Sequence, residues 1–495
     1  MVSVRSIRPA SGELSRRHRY AVLAVCCASM VVVVMDISVV NVALPAIRHD
    51  LRAEVSGLQW TVDAYTLVLA GFLVLAGSTA DRFGRRLIFQ IGLAVFGLGS
   101  LLCALAPTIG WLIGARVVQA VGGTMLNPVA MAIVATAFPD RAGRARAIGI
   151  FGAMAGLALA LGPIVGGALV DGPGWRSLFW LNVPIVVAAI VCTVLVVPES
   201  RAVRGRRFDP VGQLLAILAL GSVVTAVIEL PRFGSTSPVT LGLLAVTVLS
   251  TAAILAYEPR RADPLLELRL FRSVPFSAAI LMALFALCGF SAFLFVTTLY
   301  LQDVRGMSAM TAGLCLLPVG LLVLVLSPVA GRLVGTRGPR LPLLIAGATL
   351  LLGGVASLRL DVHTPPALVL ATYALFGIFL STVNPPITYT AVSGMPGSMA
   401  GLAASLASVG RQTGTTLGVA IAGTVLGSAT ARGPAAFTEA AHGVWVLVAA
   451  LGAGILVLAL LSTGPGHQPE LHSAGHRSMS GSHNPSASPA SSRPR

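Results

Sequence analysis

The run YAVLAVCCASMVVVVMDISVVNVAL fills residues 20–44, and the only side chain in it charged at neutral pH is Asp36. A helix rises about 1.5 Å per residue, so this run covers the roughly 30 Å hydrocarbon core of a bilayer. Within lipid the backbone must satisfy its own hydrogen bonds, which makes the run a helix. Arg16, Arg17 and Arg19 precede it, as basic residues precede a secretory leader. The run is too long for a leader, carries Asp36 and lacks a small-residue cleavage site before the next apolar stretch, so it reads as a first membrane span.

Outward from this run the pattern repeats. Further apolar stretches fall at residues 59–79, 87–106, 109–134, 145–170, 178–197, 211–230, 239–257, 274–301, 310–331, 341–358, 366–388, 400–427 and 442–462. With the first they make fourteen expected transmembrane helices. The 495-residue chain is 56% hydrophobic and 11% charged, against about 25% charged in a soluble domain. That excludes a soluble globular protein and defines an all-α integral membrane fold.

The net charge of +16 is not a nucleic-acid signal, because its 34 basic residues, all Arg, are scattered through short loops. A GC-rich coding sequence accounts for the absence of Lys. With the N-terminus inside, 25 arginines fall on the inner side, and Arg48, Arg52, Arg176, Arg232, Arg305, Arg359 and Arg432 fall outside. The bias places both termini in the cytoplasm and requires an even number of spans.

The expected divisions are a cytoplasmic segment 1–19, a six-helix half 20–198, an inserted helix pair within 199–257, a second six-helix half 258–463 and a tail 464–495. The tail is rich in Ser, Pro, Gly and His and cannot bury a core. The six cysteines lie in apolar runs without metal-ligand spacing and read as small apolar filler. No metal site is expected.

Four charged residues stand inside spans: Asp36, Asp63, Arg116 and Arg411. Each costs about 2.5–3.5 kcal/mol at a helix centre on insertion scales, so such residues are functional candidates. Asp36 lies about 24 Å along an outward-running helix. Asp63 and Arg116 lie near the outer starts of inward-running ones, so all three are expected at similar depth as a proton-coupling cluster. A static ion pair holding spans 1, 2 and 4 together is the plainer alternative. Arg411, in GRQTG, either attracts an anion or fixes helices through backbone carbonyls. Asn41, Gln119, Asn384 and Arg411 are candidates to line a substrate pathway. Gly410, Gly414 and Gly418 form a stripe suited to close helix packing.

These motifs resemble the major facilitator superfamily, in its fourteen-span drug:proton antiporter branch (EmrB/QacA type). MDISVVNVALPAI at 35–47 resembles that branch's first span, and QWTVDAYTL at 59–67 its second. GSTADRFGRR at 77–86 is similar to the superfamily's gating loop at Gly77, Asp81, Arg82, Gly84, Arg85 and Arg86, with Thr79 where Leu is usual. The resemblance implies that Asp81 meets a helix of the second half in the outward-facing state. LIGARVVQAVGG at 112–123 resembles a motif linked to proton transfer, with Arg116 and Gln119 matching and Ala120 replacing a Gly. Gly149, Gly162, Pro163, Gly166 and Gly167 match the antiporter motif, which marks exporters, with Ala158 replacing one Gly. WRSLFWLNVP at 175–184 follows as in that branch. GRLVGTRGPR at 331–340 repeats the gating loop at Gly331, Gly338 and Arg340, with Gly335 replacing the Asp. The resemblance implies a major facilitator fold with two six-helix halves plus two inserted helices.

The chain has no phosphate-binding loop, since it has no Lys, and no clustered acidic or histidine motif of a membrane enzyme. The expectation is a proton-coupled multidrug or antibiotic efflux antiporter of the bacterial cytoplasmic membrane, with protons as the coupling ion and no other cofactor. Its partners would be the lipid bilayer and a small amphipathic or apolar molecule, and a monomer is expected. A dedicated metabolite exporter or importer is the alternative, and a membrane-embedded transferase a remote one. Reporter fusions test the topology: a fusion within residues 199–209 is expected to read as cytoplasmic, and an extracellular reading would overturn the span assignment.

Overall fold

The computed structural model describes residues 15–201, 209–261, 267–393, 395, 397–427 and 429–463. Most of the expected N-terminal segment and the tail 464–495, with its histidines, lie outside the described residues. Among those described, fourteen α-helices form: α1 (Arg16–Leu51), α2 (Val55–Phe83), α3 (Arg85–Ala104), α4 (Ile109–Ala137), α5 (Arg141–Asp171), α6 (Arg176–Val196), α7 (Pro210–Phe233), α8 (Pro238–Tyr257), α9 (Val274–Leu299), α10 (Ala309–Arg337), α11 (Arg340–Ser357), α12 (Pro366–Val392), α13 (Gly397–Leu426) and α14 (Pro434–Ser462). Each apolar run falls on one helix. Twelve helices are long and apolar enough to cross a membrane, and α2 makes a thirteenth when the segments either side of its bend at Leu73–Leu75 are taken together. α13, in which Arg411 stands among Gly, Ser and Thr, falls outside that set.

Local chemistry sets the helix ends. Thr108, Asp140, Asp209, Ser237 and Ser308 each accept a backbone N–H of the first turn, satisfying donors that the helix leaves open. Gly84 joins α2 to α3 with φ +123°, and Gly338 ends α10 just before α11 with φ +79°. Both angles are reserved for glycine, so the two copies of the loop motif make the same kind of corner. Large apolar side chains such as Leu195, Leu249, Val325 and Leu461 point outward, the reverse of a water-soluble surface.

Helices α1–α6 pack chiefly on one another, and so do α9–α14. The two groups meet along two seams, α5 on α10 and α2 on α13. The inserted helix α7 lies against both α2 and α13, with α8 outside it. Near the ends of α1, α3 and α5 one apolar core runs through both groups, joining Val40 and Leu44 to Phe293, Leu299 and Val319. Toward the chain termini the core splits: Cys26, Phe89 and Val134 belong to one cluster, Phe276 and Leu406 to another. The halves are therefore closed at the end away from the termini and parted at the termini end.

Of the antiporter-motif glycines, Gly167 lies on the first seam, while Gly162 and Gly166 bring α5 onto α1. A Cβ on Gly167 would lie 2.5 Å from Ala309 O and 2.6 Å from Met310 Cα, and one on Gly162 2.7 Å from Ser38 Cβ. In return, Gly313 and Gly320 of α10 lie against the α5 backbone at Pro163 and Ala160. Gly149, at the other end of α5, has nothing within 4 Å. Gly167→Val is thus expected to destabilise the protein by about 1–3 kcal/mol through overpacking, while Gly149→Ala leaves stability unchanged or slightly raised. Thermal unfolding in detergent reads the difference, and equal stability of the two variants would refute the seam.

Candidate functional site: a cavity between the halves and a buried ion pair

A cavity of about 980 Å³ occupies the parting of the halves. The first half lines it with Met30, Ile37, Ser38 and Asn41 of α1, Asp81 of α2, and Asn127 and Met131 of α4. The second half contributes Phe290 and Leu294 of α9, Asn384 of α12, and Ser408, Arg411, Gln412 and Thr415 of α13. Three of the four expected pathway residues, Asn41, Asn384 and Arg411, are in this wall. Gln119 is not.

Gln119 belongs instead to a charged cluster behind α1. Arg116 and Asp36 are each 1% exposed and form an ion pair with Nη1 to Oδ2 at 2.5 Å. Gln119 accepts from the same Nη1 (2.7 Å) and donates to Asp36 Oδ1 (2.8 Å). Asn182 of α6 donates to that oxygen at 3.0 Å, and Ser100 of α3 bonds to both amides. Arg116 Nε donates to Thr61 O of α2 at 3.2 Å, and its guanidinium lies 4.1 Å from the Tyr65 ring centroid. Both charges are thus paired and hydrogen-bonded, the condition under which burial is tolerated. Ile37 and Ser38 face the cavity while Asp36 faces away, so one helix separates the ion pair from the cavity.

Asp63 does not join this cluster. It follows Thr61 by two residues, which turns it about 200° around α2. Gln59 and Thr66, on its own stripe, bond to α13 at Ala420 O (2.7 Å) and Thr416 Oγ1 (2.8 Å). Asp63 therefore lies in the α2–α13 seam, fully buried, with neither carboxylate oxygen hydrogen-bonded.

The gating-loop residues bind their own half. Asp81 accepts from Arg85 Nη2 (2.9 Å), and Arg85 also reaches Thr136 of α4 (2.6 Å). Arg86 donates its backbone N–H to Glu199 and its guanidinium to Val194 O. Arg82 lies 5.5 Å from the Phe83 ring centroid. Asp81 does not reach the second half, whose α13 here stands across the open cavity. On α13, Gly410, Gly414 and Gly418 lie on the α9 backbone at Ile280, Leu284 and Cys288, which is the packing role expected for that stripe.

At the closed end, the latches had escaped the sequence reading. Asp171 accepts from the N–H groups of Ala309 (3.1 Å) and Met310 (2.8 Å), capping α10 across the seam. Arg48 pairs with Asp303 at 3.2 Å, and Gln302 donates to Val42 O at 2.8 Å. Asp171 ends the α5 motif run and Asn182 stands in WRSLFWLNVP, so position beside a motif was the available signal for both.

A membrane fold of two helical halves parted by a central cavity, with a buried charge pair behind it, has the architecture of a membrane transporter. The sequence bears this out: residues 26–419 match the model of the Major Facilitator Superfamily, and the chain belongs to that family. It is 40% identical over 392 residues to the "Multidrug resistance protein Stp" of Mycobacterium tuberculosis (strain CDC 1551 / Oshkosh), covering 79% of this chain and 73% of that one. It is 35% identical to the "Tetracenomycin C resistance and export protein" of Streptomyces glaucescens (85% and 78% covered) and 35% identical to the "Puromycin resistance protein pur8" of Streptomyces alboniger (89% and 90% covered). Among solved structures it resembles a bacterial homologue of the human lysosomal transporter Spinster, inward-facing and unoccupied, with TM-score 0.63, 15% identity and 90% and 98% coverage.

Arg116→Met should strand the Asp36 carboxylate in the bundle and cost about 3–5 kcal/mol. Combining it with Asp36→Leu should recover most of that loss. Thermal unfolding of the single and double variants checks this, and a fully stable single variant would show that the pair does not hold the helices.

Proposed function

We propose that this chain is a proton-coupled efflux antiporter for small amphipathic or apolar molecules, of the fourteen-span drug:proton branch. It acts as a monomer in the bacterial cytoplasmic membrane with both termini inside. In this reading α13 crosses the membrane with the other thirteen helices, since it packs lengthwise on α9 and α2. The observation that carries the proposal is α1 itself: one face lines the cavity at Ile37, Ser38 and Asn41, and the other holds Asp36 against Arg116. The resistance and export names of the relatives support efflux.

The cycle follows from the geometry. The termini end is the cytoplasmic end, so the open cavity is the inward-facing, loading state. A proton on Asp36 removes its charge and loosens the hold of Arg116, Gln119 and Asn182 on α1. The helix is then free to shift against α5, where Gly162 and Gly166 abut Ser38 and Val39, and α5 carries the change to α10. A proton re-entering across about 100 mV releases about 2.3 kcal/mol, and one pH unit adds about 1.4 kcal/mol. Together these sustain a cargo ratio on the order of several hundredfold, at about 1.4 kcal/mol per decade.

Asp36→Asn keeps the side chain's shape and removes its titration. The variant is expected to fold and reach the membrane yet lose uphill export, measured as dye accumulation by everted vesicles under an imposed pH gradient and abolished by an uncoupler in the wild type. Uphill export by the variant at the wild-type rate would refute the role of Asp36.

A further inference from the structure

Three charged residues line the described cavity: Asp81, Asp209 and Arg411. The two acids stand near helix ends at the cavity mouth and are engaged. Asp81 pairs with Arg85. Asp209 caps α7 at Gly212 N (3.0 Å), accepts from the Tyr257 hydroxyl (3.2 Å) and lies 3.9 Å from Arg261 Nε. Arg411 differs in depth and in partners. It stands about 21 Å along α13 from the termini end. Its Nη2 donates to Ser408 Oγ one turn earlier (2.5 Å), while its Nη1 is shut off from solvent and has no acceptor. Among the described residues no carboxylate comes within ion-pairing distance of it. Arg116, also deep in the bundle, has its counter-ion; Arg411 has none among the described residues.

A guanidinium in a site of low dielectric exerts a far stronger field than one in water, and a fork of N–H donors is the preferred partner of a carboxylate or similar oxyanion. Around it the wall offers neutral amides and hydroxyls, Asn384, Gln412 and Thr415, and an apolar lining with Phe290 and Leu294. Resting on the export reading above, we infer that Arg411 is the anion-recognising residue of the cavity and that the favoured cargo is an acidic amphipathic molecule, an apolar ring system bearing a carboxylate or phenolate. A lipophilic cation meets the same apolar walls but is repelled at this depth.

Two xanthene dyes of similar size and opposite charge, fluorescein and rhodamine 123, test the inference on the full-length protein in detergent by fluorescence anisotropy. The wild type is expected to bind fluorescein at least tenfold more tightly than rhodamine 123. Arg411→Gln should abolish that preference by weakening fluorescein at least tenfold while leaving rhodamine 123 equal or tighter. Arg411→Lys, which keeps the charge and loses the fork, should fall between. The wild-type comparison alone reads charge preference should Arg411→Gln fail to fold. A preference for rhodamine 123, or fluorescein binding indifferent to both substitutions, overturns the inference. Everted vesicles separate it from the export reading. Arg411-dependent binding of fluorescein without uphill movement of either dye refutes export and leaves the recognition standing. Export of both dyes regardless of residue 411 refutes the recognition alone.

Discussion

The pair between Asp36 and Arg116 is the constraint on which the first half depends. Two charges withdrawn from water carry a desolvation penalty that their attraction offsets only when every remaining donor and acceptor is used. Here Gln119, Asn182, Ser100 and the Thr61 carbonyl supply those partners, so five helices, α1, α2, α3, α4 and α6, are tied at one point. Such a knot fixes the rotation of α1, and that rotation decides which residues face the cavity. Ile37, Ser38 and Asn41 line the cavity because Asp36 is held the other way.

The two seams between the halves are built from different materials. At α5–α10, glycines on both helices bring backbones into contact, and among the described residues the hydrogen bonds that cross are those accepted by Asp171 at its end. At α2–α13, polar side chains cross instead: Gln59 to a backbone carbonyl, Thr66 to Thr416, with Asp63 between them. The inserted helix α7 covers this second seam, its Trp60–Glu229 and Thr424–Val227 bonds joining it to both halves.

Much of this was legible in the sequence, for reasons that lie in the solvent. Lipid requires each crossing segment to be apolar and helical, so the run at residues 20–44 and its thirteen successors located every helix before any contact was known. Helix ends were less exact because a helix continues past the hydrocarbon: the apolar run begins at residue 442, after Glu439, whereas α14 begins at Pro434. The charged residues in the spans were visible as anomalies, yet their partners were not. Helical periodicity places Asp63 and Thr61 on different faces of α2, but only the tertiary arrangement decides that the Thr61 face meets Arg116 and the Asp63 face meets α13. Gly313, Gly320 and Asn182 went unnoticed for the same reason: a small or amide residue acquires meaning only from what lies opposite.

The distribution of apolar contact bears on how such a molecule changes state. At the closed end one hydrophobic core passes through both halves, and at the open end the same kind of surface is divided into two clusters facing the cavity. Opening the closed end would separate apolar faces whose contact is not directional, so the loss can be made good by an equivalent closure at the other end. The polar latches at the closed end behave differently. The Arg48–Asp303 pair is part-exposed, and Asp171, which accepts from the Met310 N–H, is exposed. Water can replace such bonds as they break, so their net contribution is modest. The ion pair behind α1 differs from these latches in kind: each of its side chains is 1% exposed, so water does not reach it.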